Sequence, residues 1–297
     1  MTLITILLAL ILDRLLTSHK HWRSLCIFNR YVDGLMPRLK LKPEQAYLGI
    51  FAVLLIPISL LLFGQTLVAG VWLDLFSVAL GAVVLLVCLG PLDWDWAVDK
   101  YLKARKRGDD ETAHKRAYDV MGEQPPQDKN EQILAVTRTL LIQSGDQLLA
   151  VLFWFVIFGP AGAMAYRFSA HLVNDPPHWF AHHPQARQAA RYWLGWFGWL
   201  PTRMVAIGYA LTGSFEDVMH RLKELRPLAH PLDGNHTLLL ETGCAALHKE
   251  VNDLLPHGYP HEVPHLSLVR SARALALRTL LVWLSLLSLL TLVGWFA

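Results

Sequence analysis

The stretch AYLGIFAVLLIPISLLLF, residues 46–63, decides the fold class of this 297-residue chain. It carries no charged side chain over about 18 positions, which at ~1.5 Å of helical rise per residue is enough to cross the hydrocarbon core of a bilayer. The C-terminal stretch LLVWLSLLSLLTLVGWFA, residues 280–297, has the same property. The chain is therefore predicted to be all-α, a polytopic helical integral membrane protein.

The composition of the whole chain agrees with this prediction. Hydrophobic residues make up 54% of the sequence and charged residues 17%, whereas soluble proteins carry about 25% charged residues. The net charge is only +3, and the three cysteines show no CxxC spacing. These features exclude a nucleic-acid partner, a disulfide scaffold and a cysteine metal motif as leading interpretations, and they leave the lipid bilayer as the predicted partner.

Five or six membrane-embedded helices are expected, all within a single membrane domain that covers residues 1–297. The first segment is short, so it is expected either to span or to re-enter the membrane. The fourth contains Gly159 and Pro160, which interrupt a straight helix, and the fifth contains Pro201 and Arg203. The predicted embedded segments are 2–12, 47–67, 71–90, 148–166, 193–213 and 277–296.

The distribution of Lys and Arg predicts which loops face the cytoplasm, because positively charged loops stay inside. Nine of these residues lie in 92–146 and six in 214–275, whereas 168–192 holds only Arg187 and Arg191. Segments 92–146 and 214–275 are therefore predicted to be helical cytoplasmic loops, and 168–192 a periplasmic loop. The chain is therefore expected to cross its membrane several times.

Ionisable residues at membrane depth are costly and often functional. They support the hypothesis of a polar pocket between the fourth and fifth segments that binds an anionic small molecule, with Arg as the cation. In the alternative interpretation, Arg203 pairs with a buried carboxylate or extends to the interface, and Arg167 anchors at the outer interface. The sequence identifies neither the ligand nor any cofactor. The candidate ligand-binding residues are Asp146, Gly159, Gly162, Tyr166, Arg167 and Arg203.

The histidines and the short motifs do not indicate catalysis or metal binding. Two groups of three histidines lack a complete ligand set with standard spacing, and the second group alternates with prolines that break a helix. They are interpreted as structural or surface residues. No Walker-type loop, GxSxG or HExxH motif occurs, so no catalytic residue is assigned. The two groups are His178, His182 and His183, and His257, His261 and His265.

Four stretches resemble the AmpE/CobD family of bacterial inner-membrane proteins. The resemblance to the AmpE branch implies a signalling modulator of AmpC-type β-lactamase induction that is linked to peptidoglycan recycling, with a membrane protein or an amidase as its partner. The four stretches are MTLITILLALILDRLL (1–16), YLKARKRGDDETA (101–113), LFWFVIFGPAGAMAYR (152–167) and WLPTRMVAIGYALTG (199–213).

The CobD branch implies the alternative function, an ATP- and Mg-dependent amide ligase or transferase of cobalamin biosynthesis. That branch carries Glu-Asn-x-x-Asp-Gly before its Phe-Trp and Asn-Thr-Leu-Asp-Ser after its Tyr-Arg. In this chain only Asp146 and Leu172 match those two motifs. The missing carboxylates and amides are groups suited to holding a Mg-nucleotide, so a binding or signalling protein on a CobD-like scaffold is favoured over an enzyme.

Overall fold

In the computed structural model, the chain is described over residues 2–15, 25–39, 45–68, 73–89, 93–225, 230–254 and 266–292. These residues form α-helices joined by short connections, with one π-helix and no β-strand among them. The all-α prediction is confirmed. The helices are α1 (Thr2–Leu15), α2 (Cys26–Leu39), α3 (Ala46–Val68), α4 (Leu73–Leu89), α5 (Asp93–Lys106), α6 (Asp110–Met121), α7 (Lys129–Gln143), the π-helix (Ser144–Leu149), α8 (Ala150–Asn174), α9 (His178–Ala181), α10 (Pro184–Thr212), α11 (Phe215–Glu224), α12 (Pro231–Leu254) and α13 (Leu266–Leu292).

Three stretches of the described chain have the length and apolar composition needed to cross a membrane: Ala46–Gln65, Lys129–Asn174 and Leu266–Leu292. Two shorter apolar helices are Leu3–Asp13 and Val78–Leu89. The outer faces of α3 and α13 remain uncovered by protein, since Leu60 is 71% exposed and Leu289 is 62% exposed. Such apolar surface is expected to contact lipid. The number of five or six embedded helices stays a prediction.

Helix α8 is not a straight rod, because it reverses at Gly159. That residue has φ 64° and ψ −153°, a conformation that is not helical and that favours glycine. A Cβ placed on Gly162 would lie 2.4 Å from the carbonyl oxygen of Trp154, eight residues earlier. Residues eight apart in a straight helix are separated by about 12 Å of rise, so the second half of α8 turns back toward the first.

This reversal changes the interpretation of the predicted fourth span, 148–166. The interruption expected at Gly159 and Pro160 is present. The helical path before Gly159, however, runs without a break from Lys129 through the π-helix to Phe158 and rises about 45 Å, which exceeds a hydrocarbon core of about 30 Å, before the chain turns back. Irregular backbone at membrane depth is tolerated where protein buries it, and Pro160 approaches Gly81 of α4. The geometry is that of a hairpin with its tip against α4.

The core has two parts. The larger part gathers side chains from α1, α4 to α8 and α10 to α13, and it contains the fully buried rings of Tyr101, Tyr166 and Tyr209. The smaller part joins α2 and α3 to the end of α8 and the start of α10. There the rings of Phe28 and Phe168 stack with their centroids 4.1 Å apart.

Helix α12 runs in parallel along α10 and contacts it near both ends. At one end, a Cβ on Gly195 would lie 2.5 Å from the backbone nitrogen of Leu232, and at the other, a Cβ on Gly213 would lie 2.7 Å from Cβ of Ala246. Glycine lets the two helices approach this closely. Helix α12 therefore belongs to the packed body of the protein, although it lies within the loop predicted at 214–275.

An ion pair joins two segments that the sequence assigned to opposite sides of the membrane. Nη2 of Arg191 lies 2.7 Å from Oδ1 of Asp233. Arg191 belongs to the predicted periplasmic loop and Asp233 to the predicted cytoplasmic loop at 214–275. The side of the membrane that each loop faces stays a prediction. Any assignment has to place Arg191 and Asp233 on the same side.

The close contact of Gly162 with the first half of α8 leads to a first prediction. We expect Gly162→Ala to destabilise the protein by about 1–3 kcal/mol, because the added methyl group collides with the Trp154 carbonyl and Cβ of Phe158. The apparent melting temperature of the purified protein in detergent measures the effect. The control is Gly64→Ala in α3, where no atom lies within 4 Å of the new Cβ. Equal melting temperatures for both variants would contradict the reversal at Gly159.

Candidate functional site

Asp146 lies in the π-helix Ser144–Leu149, between α7 and α8. Its Oδ2 atom is 2.8 Å from Nε2 of His236 on α12. One residue before Asp146, Gly145 leaves room for the side chain of Leu239, which would collide with a Cβ at that position. A π-helix in an α-helical chain often marks a functional site. Here it directs the carboxylate of Asp146 toward α12.

The contact with Asp146 controls the protonation of His236. Partial burial disfavours the imidazolium and lowers the pKa of His236, whereas the hydrogen bond to Asp146 and the negative charge of that carboxylate raise it. The raising effects are larger, so the pKa of His236 lies above its usual value of 6.5. Both side chains are only partly exposed, at 19% for Asp146 and 37% for His236, which limits screening of the pair by solvent.

A buried hydroxyl network lies beside this ion pair. The hydroxyl of Tyr209 on α10 donates to the carbonyl oxygen of Leu141 at 2.9 Å, and Oγ of Ser144 lies 3.0 Å from the same hydroxyl. Neither Ser144 nor Tyr209 is accessible to solvent. The network fixes the end of α7 against α10, and it holds the π-helix in place because Ser144 is the first residue of that helix.

Arg203 lies on a different face of the molecule. It is an exposed residue of α10, and its Nη1 atom donates to the carbonyl oxygen of Trp199 at 2.9 Å. The guanidinium carbon lies 3.8 Å from the centre of the Trp199 ring, a distance typical of a cation–π contact. Within the described residues, Arg203 has no carboxylate partner, so the ion pair considered from the sequence is not formed there.

Arg203 faces a groove of about 370 Å³ between α10, α11 and α12. The groove has mostly apolar walls, and Arg203 is the charged residue in its lining. The lining residues are Trp196, Trp199, Arg203, Leu222, Leu225, Pro231, Gly234, Asn235, Thr237 and Leu238.

Tyr166 and Arg167 lie beyond the reversal at Gly159, on the second half of α8. The ring of Tyr166 is fully buried. Nε of Arg167 is buried without a hydrogen-bond partner in the described part of the chain, and so is Nε2 of His171 one turn later. The positions of Gly159 and Gly162 at the reversal explain why this buried polar segment returns toward the π-helix.

None of the six candidate residues lines the cavity between α8 and α10. That cavity has a volume of about 180 Å³ and apolar side chains around it, among them Leu152, Val205 and Leu284. Arg203 faces the groove toward α12 instead, and Asp146 contacts His236. Ligand binding by the six residues stays a prediction, and two separate positions replace the one pocket that we expected for Asp146 and Arg203.

Among the histidines singled out in the sequence, His178, His182 and His183 stack on one another or on Trp179. His183 stacks on Trp179 with ring centroids 3.7 Å apart, and the rings of His178 and His182 lie 5.3 Å apart. His257, His261 and His265 lie outside the described residues. Among the residues described, no three His, Cys, Asp or Glu side chains are arranged to hold a metal ion.

The fold and the site together define an all-helical protein with membrane-length apolar helices, in which Asp146 of the π-helix contacts His236 of α12. The model of the AmpE family, described as the regulatory signalling modulator protein AmpE, matches residues 1–225 of this chain. The chain belongs to the AmpE family. No solved structure matches it.

Two curated relatives carry the name cobalamin biosynthesis protein CobD. The one from Stutzerimonas stutzeri (strain A1501) is 26% identical over 226 residues, which cover 74% of this chain and 73% of the relative. The one from Chromobacterium violaceum is 26% identical over 220 residues, covering 69% and 68%. These matches agree with the resemblance to both branches of the AmpE/CobD family. The family match includes Asp146 and Arg203 but ends before His236.

The raised pKa of His236 predicts a stability difference that depends on pH. A histidine with a raised pKa in the folded state stabilises the fold fully below its unfolded pKa, near 6.5, and this contribution is lost as the pH rises through the folded pKa. We expect His236→Gln to lower the melting temperature by about 2–4 °C at pH 6, corresponding to about 1 kcal/mol, and by less at pH 9.

The matched control is His220→Gln, because His220 is an exposed residue with Glu224 3.6 Å away. Surface pairs of this kind contribute little to stability, so its effect should be near zero at both pH values. A loss in His236→Gln that is equally large at pH 6 and pH 9 would show that the imidazolium of His236 does not stabilise the fold.

Proposed function

We propose that the protein is an inner-membrane modulator of AmpC-type β-lactamase induction, linked to the sensing of peptidoglycan-recycling products. The family match supports a signalling modulator. The observation that carries the proposal is the contact between Asp146 and His236, which joins the π-helix before the apolar helix α8 to α12. A change in this contact would transmit a signal from the membrane-embedded part to the segments exposed to a partner, such as an amidase.

The groove at Arg203 is proposed as the place where a ligand acts on α12. Gly234 and Asn235 line this groove, while the next residue, His236, contacts Asp146. Successive residues of a helix point about 100° apart. The same turn of α12 therefore presents Asn235 to the groove and His236 to Asp146. A ligand that moves this turn would alter the Asp146–His236 distance.

The other candidate residues are proposed to support this coupling. Gly159 and Gly162 allow the reversal that brings the second half of α8 back. Tyr166 and Arg167 then form a buried polar segment behind the π-helix, where the unpartnered Nε of Arg167 is suited to an anionic group.

An induction assay in a strain that lacks its own copy of the protein tests the role of Asp146 and Arg203. We expect Asp146→Asn and Arg203→Met each to change the extent of β-lactamase induction by a factor of about three or more, since each removes a contact worth about 1 kcal/mol or more. Asp119→Asn is the control, because Asp119 forms only a surface pair with Arg116. Unchanged induction at normal protein levels would contradict the proposal.

We also propose that residues 168–192 lie on the cytoplasmic side together with 92–146 and 214–275. The reversal of α8 at Gly159 and the Arg191–Asp233 ion pair support this placement, because a hairpin returns the chain to its side of entry. It replaces the periplasmic position expected from the few basic residues in this segment.

Cysteine labelling tests this placement. In a variant without Cys26, Cys88 and Cys244, the exposed Gln188 is changed to Cys. We expect a membrane-impermeant maleimide to label it only after the inner membrane is opened, as for the control Lys106→Cys. Labelling of Gln188→Cys from the periplasm, with the control protected, would restore the periplasmic assignment.

The second candidate function is the amide ligase or transferase activity of the CobD branch, and the 26% identity to the two CobD proteins favours it. The loss of most motif residues around Asp146 and Leu172 argues against it. Purified protein incubated with ATP, Mg²⁺, an amine and a carboxylate acceptor should show no turnover under the first proposal. Turnover that Asp146→Asn abolishes would favour the enzyme instead.

A further inference from the structure

An exposed apolar stripe runs along α10 and passes through Arg203. Trp196, Ile207 and Leu211 are 56%, 47% and 61% exposed. With Trp199 and Arg203 between them, they follow the three- and four-residue spacing of a single helix face. Trp199 and Leu200 complete the stripe. An apolar surface of this kind in a membrane-type protein is expected to contact lipid chains.

A lone cation inside a lipid-facing stripe needs a partner. A charge within an apolar, lipid-facing surface is costly unless an anion accompanies it, and Arg203 has no carboxylate partner among the described residues. Its guanidinium rests on the Trp199 ring and uses Nη1 for one hydrogen bond to a backbone carbonyl. A guanidinium has five N–H donors, so most of them remain available to an anion.

The groove beside Arg203 has the composition of a site for an amphiphile. Its volume of about 370 Å³ falls within the range of small-molecule sites, ~300–1,000 Å³. Trp196, Leu222 and Leu225 give it apolar walls, and none of the described residues that line it carries a carboxylate that would repel an anion. The hydroxyl of Thr237 and the amide of Asn235 add polar groups to the wall toward α12.

We infer that the groove between α10, α11 and α12 binds an anionic phospholipid, with the phosphate on Arg203 and the first carbons of a chain against Trp196 and Leu225. A planar guanidinium suits the phosphate because it can donate two parallel hydrogen bonds. The apolar stripe on either side of Arg203 favours a lipid over a soluble phosphate, since it continues the apolar path along the helix. This inference rests on the proposed role of Arg203 as the ligand-binding cation.

The test is native mass spectrometry of the full-length protein in detergent, titrated with phosphatidylglycerol or with phosphatidylcholine of the same chains. We expect the wild type to bind phosphatidylglycerol more tightly. Arg203→Met should weaken that binding about tenfold or more, because it removes a charge-assisted contact, and should leave phosphatidylcholine binding unchanged. Arg203→Lys keeps the positive charge but lacks the planar guanidinium. Its affinity for phosphatidylglycerol should therefore lie between those of the wild type and Arg203→Met.

Arg187→Met is the matched control, because it removes one exposed positive charge from the same helix, about four turns from Arg203. It should bind phosphatidylglycerol like the wild type. Equal binding of the two lipids by the wild type, or equal losses in Arg187→Met and Arg203→Met, would overturn the inference. Displacement of phosphatidylglycerol by millimolar inorganic phosphate would overturn the lipid as the ligand and favour a soluble phosphate compound.

The outcome is separable from that of the proposed function. If Arg203→Met loses the preference for phosphatidylglycerol but leaves induction unchanged, the signalling role is contradicted and the lipid site is supported. Altered induction without any lipid selectivity would do the reverse. Thr237→Phe, which narrows the groove without changing its charge, adds a steric test: it should weaken phosphatidylglycerol binding, and full retention would show that the lipid does not enter the groove.

Discussion

The reversal at Gly159 is the constraint on which the rest of the structure depends. A positive φ of 64° is readily available to glycine and costly for other residues, and Pro160 follows with its fixed backbone angle. Because α8 turns back at this point, Tyr166 becomes buried and the start of α10 packs against α2 and α3. A straight helix would carry Tyr166 about 30 Å away from Asp146 along its axis.

The sequence was informative where a physical property depends on neighbouring residues alone. The apolar run at 46–63 predicted α3, and the Gly159–Pro160 pair predicted an interruption of α8. The low charge content also drew attention to Asp146 and Arg203, since few ionisable residues remain once the basic loops are set aside. The direction of the bend was not predictable, because it depends on contacts such as that between Pro160 and Gly81.

The partners of the candidate residues could not be read from the sequence. His236 is one of fourteen histidines, and only the packing of α12 along α10 distinguishes it. That packing depends on close approaches at Gly195 and Gly213, between positions that lie more than thirty residues apart in the chain. The position of Arg203 was not predictable for the same reason, since Arg203 lines a groove that α10 forms with α11 and α12.

The first turns of α12 connect the groove at Arg203 with the contact between Asp146 and His236. From the sequence, Asp146 and Arg203 were expected to share one pocket. Asn235 donates to the carbonyl oxygen of Gly195 at 2.7 Å, and His236 contacts Asp146 on the other side of the helix. Both side chains belong to the same turn of α12, so a rotation or shift of this turn changes both contacts together. The groove and the π-helix are thus linked through a helix that packs along α10, and we expect a displacement at the groove to alter the contact at the π-helix. Two distinct positions coupled in this way suit a modulator better than a single pocket would, since binding at one can alter the geometry of the other.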